Sequence, residues 1–138
     1  MKKTVLEDIG LLIMRLGSGS LILTHGYPKL IRLFGDEPIK FMDFLGLGPV
    51  ISLSLAVFAE FFCAILILIG FKTRLATIPL LITMLTAALV AHAGDPFGRK
   101  ELPLLYFTIF FCILIFGAGK FSIDGLSNRK SMYYKGSA

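Results

Sequence analysis

One carboxylate, Glu60, lies near the centre of a long apolar stretch, and it is the first residue in this chain that could do chemistry. The stretch, residues 50–71, holds no other charged side chain and could cross the ~30 Å core of a bilayer as a helix. An ionisable group at that depth is costly unless a partner or a water-filled cavity receives it. Held there, an acid can exchange protons with a bound molecule. Glu60 is therefore a candidate catalytic residue.

The first apolar stretch, residues 9–34, carries several polar residues on one helical face. Members of this face recur at intervals of three and four: Arg15, Ser18, Gly19, Ile22, His25, Gly26 and Lys29. We expect the face to point into a helix bundle, with His25 sharing proton transfer with Glu60. A buried Arg15–Glu60 ion pair is the predicted partnership, and Arg15 or Lys29 would stabilise negative charge on a substrate oxygen.

Three further candidates lie near the ends of the remaining apolar stretches. His92 ends the third, and Glu101 and Tyr106 lie at the beginning of the fourth. If the helices are antiparallel, these residues share one membrane side with His25, and Glu60 lies about 15 Å deeper. We expect them to contact a substrate, although simple solvation near the headgroups explains His92 and Glu101 equally well.

The sequence does not favour a metal site or a dithiol site. His25, Glu60, His92 and Glu101 are acceptable zinc ligands in type, but they come from four predicted helices without a local paired spacing. The two cysteines, Cys63 and Cys112, lie in separate apolar stretches and form no Cys-x-x-Cys motif. We interpret both cysteines as small buried core residues.

Composition places these candidates in a membrane protein. The 138 residues are 56% hydrophobic and 17% charged, with a mean hydropathy of +0.82. Four apolar stretches could each form a spanning helix: residues 9–34, 50–71, 75–93 and 102–118. The predicted fold is an all-α, antiparallel bundle of four transmembrane helices in the lipid bilayer, forming one domain over residues 1–126. The polar, basic residues 127–138 are predicted to be a flexible tail.

The net charge of +5 does not indicate a nucleic-acid partner. Basic residues lie at the ends of the apolar stretches rather than in a continuous stripe interleaved with aromatic residues. Lys2 and Lys3 precede the first stretch, and Lys72 and Arg74 join the second to the third. By the positive-inside rule, both termini are predicted to be cytoplasmic. Small residues on the helix faces would also permit a homodimer.

Residues 35–49 form the longest connection between the apolar stretches. Asp36 suits a helix cap, Pro38 suits a first helical turn, and apolar residues follow, interrupted by Lys40 and Asp43. We predict a short interfacial helix between helices 1 and 2, although an ordered loop is equally compatible with so short a segment.

In order along the chain, several motifs resemble the DoxX family of small four-helix membrane proteins. The matching segments are R-L-G-S-G-S-L-I-L-T-H-G-Y-P-K-L (15–30), A-E-F-F-C-A-I-L-I-L-I-G-F-K-T-R-L-A (59–76), M-L-T-A (84–87) with His92, and G-A-G-K-F-S-I-D (117–124). The resemblance implies a bacterial inner-membrane protein associated with redox chemistry. Relatives in that family include the membrane subunit of thiosulfate:quinone oxidoreductase and proteins linked to quinone or thiol-oxidant stress.

Three functions remain open on these grounds. The first is a quinone-linked oxidoreductase, or its membrane subunit, with a cavity facing the outer side; the sequence has no flavin, haem or iron–sulfur motif, so electrons would pass directly to quinone or come from a partner subunit. The second is a transporter of protons or of a small molecule. The third is a scaffold that docks a peripheral enzyme through its basic cytoplasmic end, with the polar residues serving only helix packing.

Overall fold

A computed structural model describes the backbone of residues 4–136 and the side chains of residues 4–131. All regular structure in this range is helical, which confirms the predicted all-α class. The helices are α1 (Val5–Leu33), α2 (Pro49–Ile69), α3 (Thr73–Ala91), α4 (Phe97–Phe116) and α5 (Ile123–Gly136). Lys2 and Lys3, which contributed to the predicted orientation, lie outside the described residues.

Neighbouring helices in the chain run antiparallel. Lys29, late in α1, contacts Glu60 in the middle of α2, whereas Arg15, earlier in α1, reaches Ile67 near the end of α2. Arg74, at the beginning of α3, contacts Ile115 at the end of α4. One end of the bundle therefore holds the end of α1 and the beginning of α2, and the opposite end holds the α2–α3 turn and α5.

The helices expose apolar side chains outward as well as packing them inward. Leu53, Ile67, Leu80 and Phe110 are fully buried in the core. Large apolar residues on every helix are exposed, among them Leu16, Phe62, Ile82 and Leu105. By length and composition, two helices of the described chain, α2 and α3, are apolar enough to cross a membrane, with mean hydropathies of 2.5 and 1.8.

Two of the helices contain wider, π-helical turns. Phe58–Cys63 forms such a turn in the middle of α2, and Ala87–Ala91 forms another at the end of α3. A π-helical turn shifts the register of the side chains that follow it, and such turns occur frequently at functional sites. Glu60 lies within the first of them.

The connection between α1 and α2 contains no helix, so the predicted interfacial helix is wrong. Leu45 (φ 55°), Gly46 (φ 74°) and Gly48 (φ 87°) adopt left-handed backbone conformations, which a right-handed helix cannot accommodate. The Asp43 side chain accepts a hydrogen bond from the Gly48 amide at 2.8 Å, so its carboxylate holds a turn together. The segment is an ordered loop.

The C-terminal part of the chain also differs from the prediction. Residues 127–136, expected to belong to a flexible tail, continue the helix that begins at Ile123. Gly117 and Gly119, both with positive φ, turn the chain between α4 and α5. Residues 137–138, the remainder of the predicted tail, lie outside the described residues.

Candidate functional site

Glu60 is buried, with only 3% of its surface exposed, and its partner is Lys29. The Lys29 ammonium nitrogen lies 2.5 Å from Glu60 Oε2. A short charge-assisted hydrogen bond of this kind offsets part of the cost of removing both groups from water. The predicted Arg15–Glu60 pair is therefore wrong, because Lys29 rather than Arg15 occupies the position beside the carboxylate.

The close approach of α1 to the π-helical turn of α2 depends on Gly26. A Cβ at this position would overlap the Glu60 carbonyl group and lie 2.9 Å from the Phe61 nitrogen. Gly19, which is nearer the beginning of α1, similarly lies against Leu68 near the end of α2. These contacts agree with the expectation that small residues on the α1 face allow a neighbouring helix to approach.

A cavity of about 580 Å³ lies beside this ion pair. It is bounded by α2, α3 and the loop between α1 and α2, and most of its lining is apolar. Its polar residues are Lys29, Ser52, Glu60, Thr83, Thr86 and His92. Both π-helical turns contribute to the wall, Phe58 and Glu60 from the first and Ala87 and Ala91 from the second. The size is typical of a small-molecule site, about 300–1,000 Å³.

The loop forms one side of this cavity with Phe41, Met42 and Phe44. Its position is fixed by Ser52 on α2, whose hydroxyl accepts a hydrogen bond from the Phe44 amide at 2.8 Å. The Lys29 ammonium lies 6.0 Å from the centre of the Phe41 ring, within range of a cation–π contact. The aromatic loop and the ion pair are therefore parts of one site.

His92 lines the cavity at the end of α3. Its Nδ1 atom lies 2.7 Å from Oδ2 of Asp95 in the α3–α4 turn. This hydrogen bond lowers the pKa of the Asp95 carboxyl, with smaller contributions in the same direction from the charges of Arg99, His92 and Lys100. The pair fixes the imidazole at this end of the site.

Three predicted site residues lie elsewhere. His25 is exposed on α1, and its ring contacts the edge of Tyr106 with centroids 6.3 Å apart. Tyr106 is buried and stacks on Phe110, with ring centroids 6.0 Å apart. Glu101 is exposed near the beginning of α4. None of the three belongs to the lining of the cavity beside Glu60.

Arg15 lies at the opposite end of the bundle, where it binds backbone carbonyls. The residue is 1% exposed, and its guanidinium donates hydrogen bonds to four carbonyl oxygens: Ile67 (3.0 Å), Leu68 (3.1 Å), Ala118 (2.6 Å) and Phe121 (3.0 Å). Two of these carbonyls end α2 and two belong to the α4–α5 connection, so one side chain joins three parts of the fold.

Asp124 forms a second contact between a charged side chain and distant backbone groups, which was not predicted from the sequence. Asp124 accepts hydrogen bonds from the amides of Lys72 (2.8 Å) and Thr73 (2.9 Å) and so caps the beginning of α3. Its own amide donates to the Gly70 carbonyl at 2.9 Å. The segments G-F-K-T-R (70–74) and S-I-D (122–124), both within motifs shared with the DoxX family, therefore contact each other. The sequence did not reveal this capping role, because Asp124 lies about fifty residues from the helix that it caps. The available signal was only its residue type, since aspartate is a common helix cap.

Within the described residues, no cluster of three or more His, Cys, Asp or Glu side chains could hold a metal ion. Cys63 is buried and Cys112 is partly buried, and neither forms a disulfide. The polar groups in the lining of the cavity are an ammonium, a carboxylate, an imidazole and several hydroxyl groups.

Comparison with known proteins supports the resemblance found in the sequence. The DoxX family matches residues 10–93, more than half of the chain, and this region includes Lys29, Glu60 and His92. The chain belongs to the DoxX family. It is also similar to the inner membrane protein YqjF of Escherichia coli (strain K12), with 33% identity over 134 residues, 94% of this chain and 99% of the relative.

No solved structure matches this DoxX chain. The family, the inner-membrane relative and the apolar helices α2 and α3 together support a bacterial inner-membrane protein.

Proposed function

We propose that this DoxX protein binds a small, largely apolar molecule with a polar oxygen, most suitably a quinone, in the cavity between α2, α3 and the aromatic loop. The main support for this proposal is the Lys29–Glu60 ion pair, which places two charged groups in the wall of an otherwise mainly apolar cavity of about 580 Å³. Ligand sites of this type combine apolar walls with a few polar groups that orient the ligand.

The proposed contacts follow from the donor and acceptor groups available. The ring of a quinone would lie against Phe41 and Phe58, while a carbonyl oxygen accepts a hydrogen bond from the Lys29 ammonium. Glu60 would accept a hydrogen bond from the hydroxyl of the reduced, quinol form. We therefore assign proton exchange to Glu60 and Lys29 rather than to Glu60 and His25, a choice supported by the contact between Lys29 and the Glu60 carboxylate.

The proposed redox role uses the same contacts. Reduction of a quinone to a quinol takes up two electrons and two protons. In this proposal, Glu60 and Lys29 exchange the protons with the ring oxygens, and a peripheral partner enzyme supplies the electrons. The protein is then the quinone-binding membrane subunit of an oxidoreductase.

We also infer that α1 to α4 all cross the membrane. The interior charges of α1 have partners within the bundle, Arg15 on carbonyl oxygens and Lys29 on Glu60, which makes their depth tolerable. Exposed apolar side chains on α1 and α4, such as Leu16 and Leu105, support contact with lipid. Lys72 and Arg74 would place the α2–α3 turn in the cytoplasm with both termini, and the cavity would lie toward the outer side.

A binding titration tests the proposal. Purified protein in lipid nanodiscs is titrated with a short-chain ubiquinone analogue while quenching of tyrosine fluorescence is measured. We expect saturable binding that Glu60→Gln and Lys29→Gln each weaken about tenfold, because a hydrogen bond to a charged group contributes about 1.5–3 kcal/mol. Glu37→Gln, which changes an exposed residue outside the cavity, is the matched control.

The outcomes separate the alternatives. Binding that is equal in the wild type, Glu60→Gln and Lys29→Gln would overturn the proposal. Binding lost in both cavity variants and in Glu37→Gln would indicate general damage, and thermal unfolding of each variant identifies that case directly. Uptake of the analogue or of protons into sealed vesicles without a redox partner would favour a transporter instead.

A further inference from the structure

A second cavity, of about 870 Å³, lies at the end of the bundle opposite the Lys29–Glu60 pair. It is bounded by the α2–α3 turn, the α4–α5 connection and the first part of α5. Four exposed basic side chains line it: Lys72, Arg74, Lys120 and Arg129. We call this set, with the cavity that it surrounds, the basic cavity.

Two acidic residues line the same cavity, but both are already engaged by the chain. Asp124 binds the amides that begin α3. Asp8 is buried, its Oδ1 accepts from the Lys120 amide at 3.0 Å, and its Oδ2 lies 3.4 Å from the Lys120 ammonium. With four basic and two acidic side chains, the lining keeps a net charge of +2. An anion would therefore be attracted to it.

Donor groups remain available for such an anion. Lys72 and Arg129 form no ion pair with any residue in the described part of the chain. Arg74 uses one guanidinium nitrogen to bind the Ile115 carbonyl at 3.1 Å, which leaves further N–H groups. Thr73 is also among the lining residues, and its hydroxyl is buried without a hydrogen-bond partner among residues 4–131. A group with several oxygens, such as a phosphate, matches this set of donors.

The cavity is also apolar on one side, which distinguishes a lipid from a free anion. Leu75 and Phe116 contribute to its lining and are 63% and 54% exposed. Phe71 and Phe121 lie close by in sequence and are exposed as well. Basic groups next to exposed apolar side chains fit a molecule with an anionic head and hydrocarbon chains. In an inner-membrane protein, an acidic phospholipid is the molecule of this kind in direct contact with the surface.

We propose that the basic cavity binds the phosphate headgroup of an acidic phospholipid, with its acyl chains along Leu75 and Phe116. Lys72 from the α2–α3 turn and Arg129 from α5 hold the phosphate. Bound lipid therefore links α5 to the bundle, beside the carbonyl contacts of Arg15 and the cap formed by Asp124. Because the lipid binds the folded state, it stabilises the protein by an amount that rises with the logarithm of the lipid concentration once that concentration exceeds the Kd.

The test is lipid retention by the full chain. Protein in detergent is equilibrated with phosphatidylglycerol or phosphatidylcholine, and bound lipid is counted by native mass spectrometry while thermal unfolding is measured in parallel. Lys72→Gln with Arg129→Gln removes two charges from the cavity without touching Asp124 or Arg15. Arg32→Gln with Lys40→Gln is the matched control, since it removes two exposed basic residues at the opposite end.

We expect selective retention of phosphatidylglycerol and a rise in melting temperature with that lipid. Affinity should fall at least about tenfold in the cavity pair and remain unchanged in the control pair. Equal retention of the two lipids, or an equal loss in both pairs, would overturn the proposal.

Two soluble probes separate lipid from a free anion. Inorganic phosphate and glycerophosphoglycerol, the headgroup without acyl chains, should bind far more weakly than phosphatidylglycerol, because neither contacts Leu75 or Phe116. Either probe binding as tightly as the lipid would assign the cavity to a soluble phosphate and contradict the lipid proposal. The variants retain Lys29 and Glu60, and their thermal unfolding without added lipid gives an independent readout of folding.

Discussion

The Lys29 ammonium nitrogen lies 2.5 Å from the Glu60 carboxylate, although the two residues come from different helices and Glu60 is almost fully buried. Breaking a buried ion pair leaves one charge without a partner, which costs about 3–5 kcal/mol. Because 27% of the Lys29 side chain is exposed, we expect Glu60→Ala to lower the free energy of unfolding by the smaller part of this range, about 3 kcal/mol. Denaturant unfolding in detergent measures the loss.

The double variant Lys29→Met with Glu60→Leu is the informative comparison for that pair. Removing both charges leaves none unpaired, so the double variant should be more stable than Glu60→Ala alone. A double variant that loses as much stability as the sum of the two single changes would show that the residues do not interact.

Arg15→Lys should destabilise the fold although the charge is kept. A lysine ammonium cannot reproduce the planar arrangement by which the guanidinium reaches carbonyls of Ile67, Leu68, Ala118 and Phe121. With roughly 1.5–3 kcal/mol for a hydrogen bond to a charged group, the expected loss is about 3 kcal/mol or more. Arg32→Lys, at an exposed position of α1, should remain close to the wild type in the same unfolding measurement.

Gly26→Ala should separate α1 from the π-helical turn of α2. The added methyl group would overlap the Glu60 carbonyl group, and backbone atoms have no alternative rotamer to adopt. We expect a loss of about 1–3 kcal/mol together with weaker quinone binding. Gly17→Ala is the control, because nothing lies within 4 Å of its added carbon, and it should stabilise α1 by up to about 1 kcal/mol. Equal melting temperatures for the two variants would contradict the packing described.

Asp124→Ala removes the cap of α3. Its two oxygens accept the Lys72 and Thr73 amides, and substitution of a capping residue by alanine costs about 0.5–2 kcal/mol. Hydrogen exchange at the Thr73 amide should increase in this variant. Asp36→Ala, in the exposed loop after α1, should leave that amide protected, and similar exchange in both variants would count against the capping role.

The Asp95 carboxyl should titrate below its usual range because His92 hydrogen-bonds to it. A carboxyl with a lowered pKa in the folded state contributes stability above its unfolded pKa, and that contribution is lost as pH falls through the folded value. Carboxyl carbon NMR shifts measure the titration. His92→Phe should return the pKa of Asp95 toward its usual value, and Arg99→Gln should shift it less. An unchanged titration in His92→Phe would contradict the contact.

The positions of α1 to α4 were predictable from the sequence to within about five residues, because long apolar stretches in a membrane can satisfy their backbone groups only as helices. The conformation of residues 35–49 was not predictable, because capping residues and apolar residues occur both in short helices and in ordered loops. There the left-handed conformations of Leu45 and Gly46 decided the outcome. Similarly, the polar composition of residues 127–136 concealed the helix α5, which is anchored at its beginning by contacts from distant parts of the chain.

Among the candidate site residues, the sequence identified types but not partners. Arg15, His25 and Lys29 share one face of α1, and helical periodicity alone cannot tell which of them meets Glu60. Which residue of α1 lies beside Glu60 depends on the close packing at Gly26 and on the π-helical turn around Glu60. Both features involve contacts between the two helices, so neither helix sequence shows them by itself. Lys29 rather than Arg15 is therefore the partner of Glu60, and His25 is exposed on α1, where its ring contacts Tyr106.

The sequence by itself determined that this chain is helical and apolar, with a carboxylate inside an apolar helix, because composition and periodicity are local properties of the chain. Its motifs, in their order along the chain, also carried the resemblance to the DoxX family. The tertiary structure alone decided which cation neutralises that carboxylate, where the cavities lie, and which charged residues hold the fold together. The physical reason is that a buried charge must find a partner in space, and residues far apart in the chain supply it.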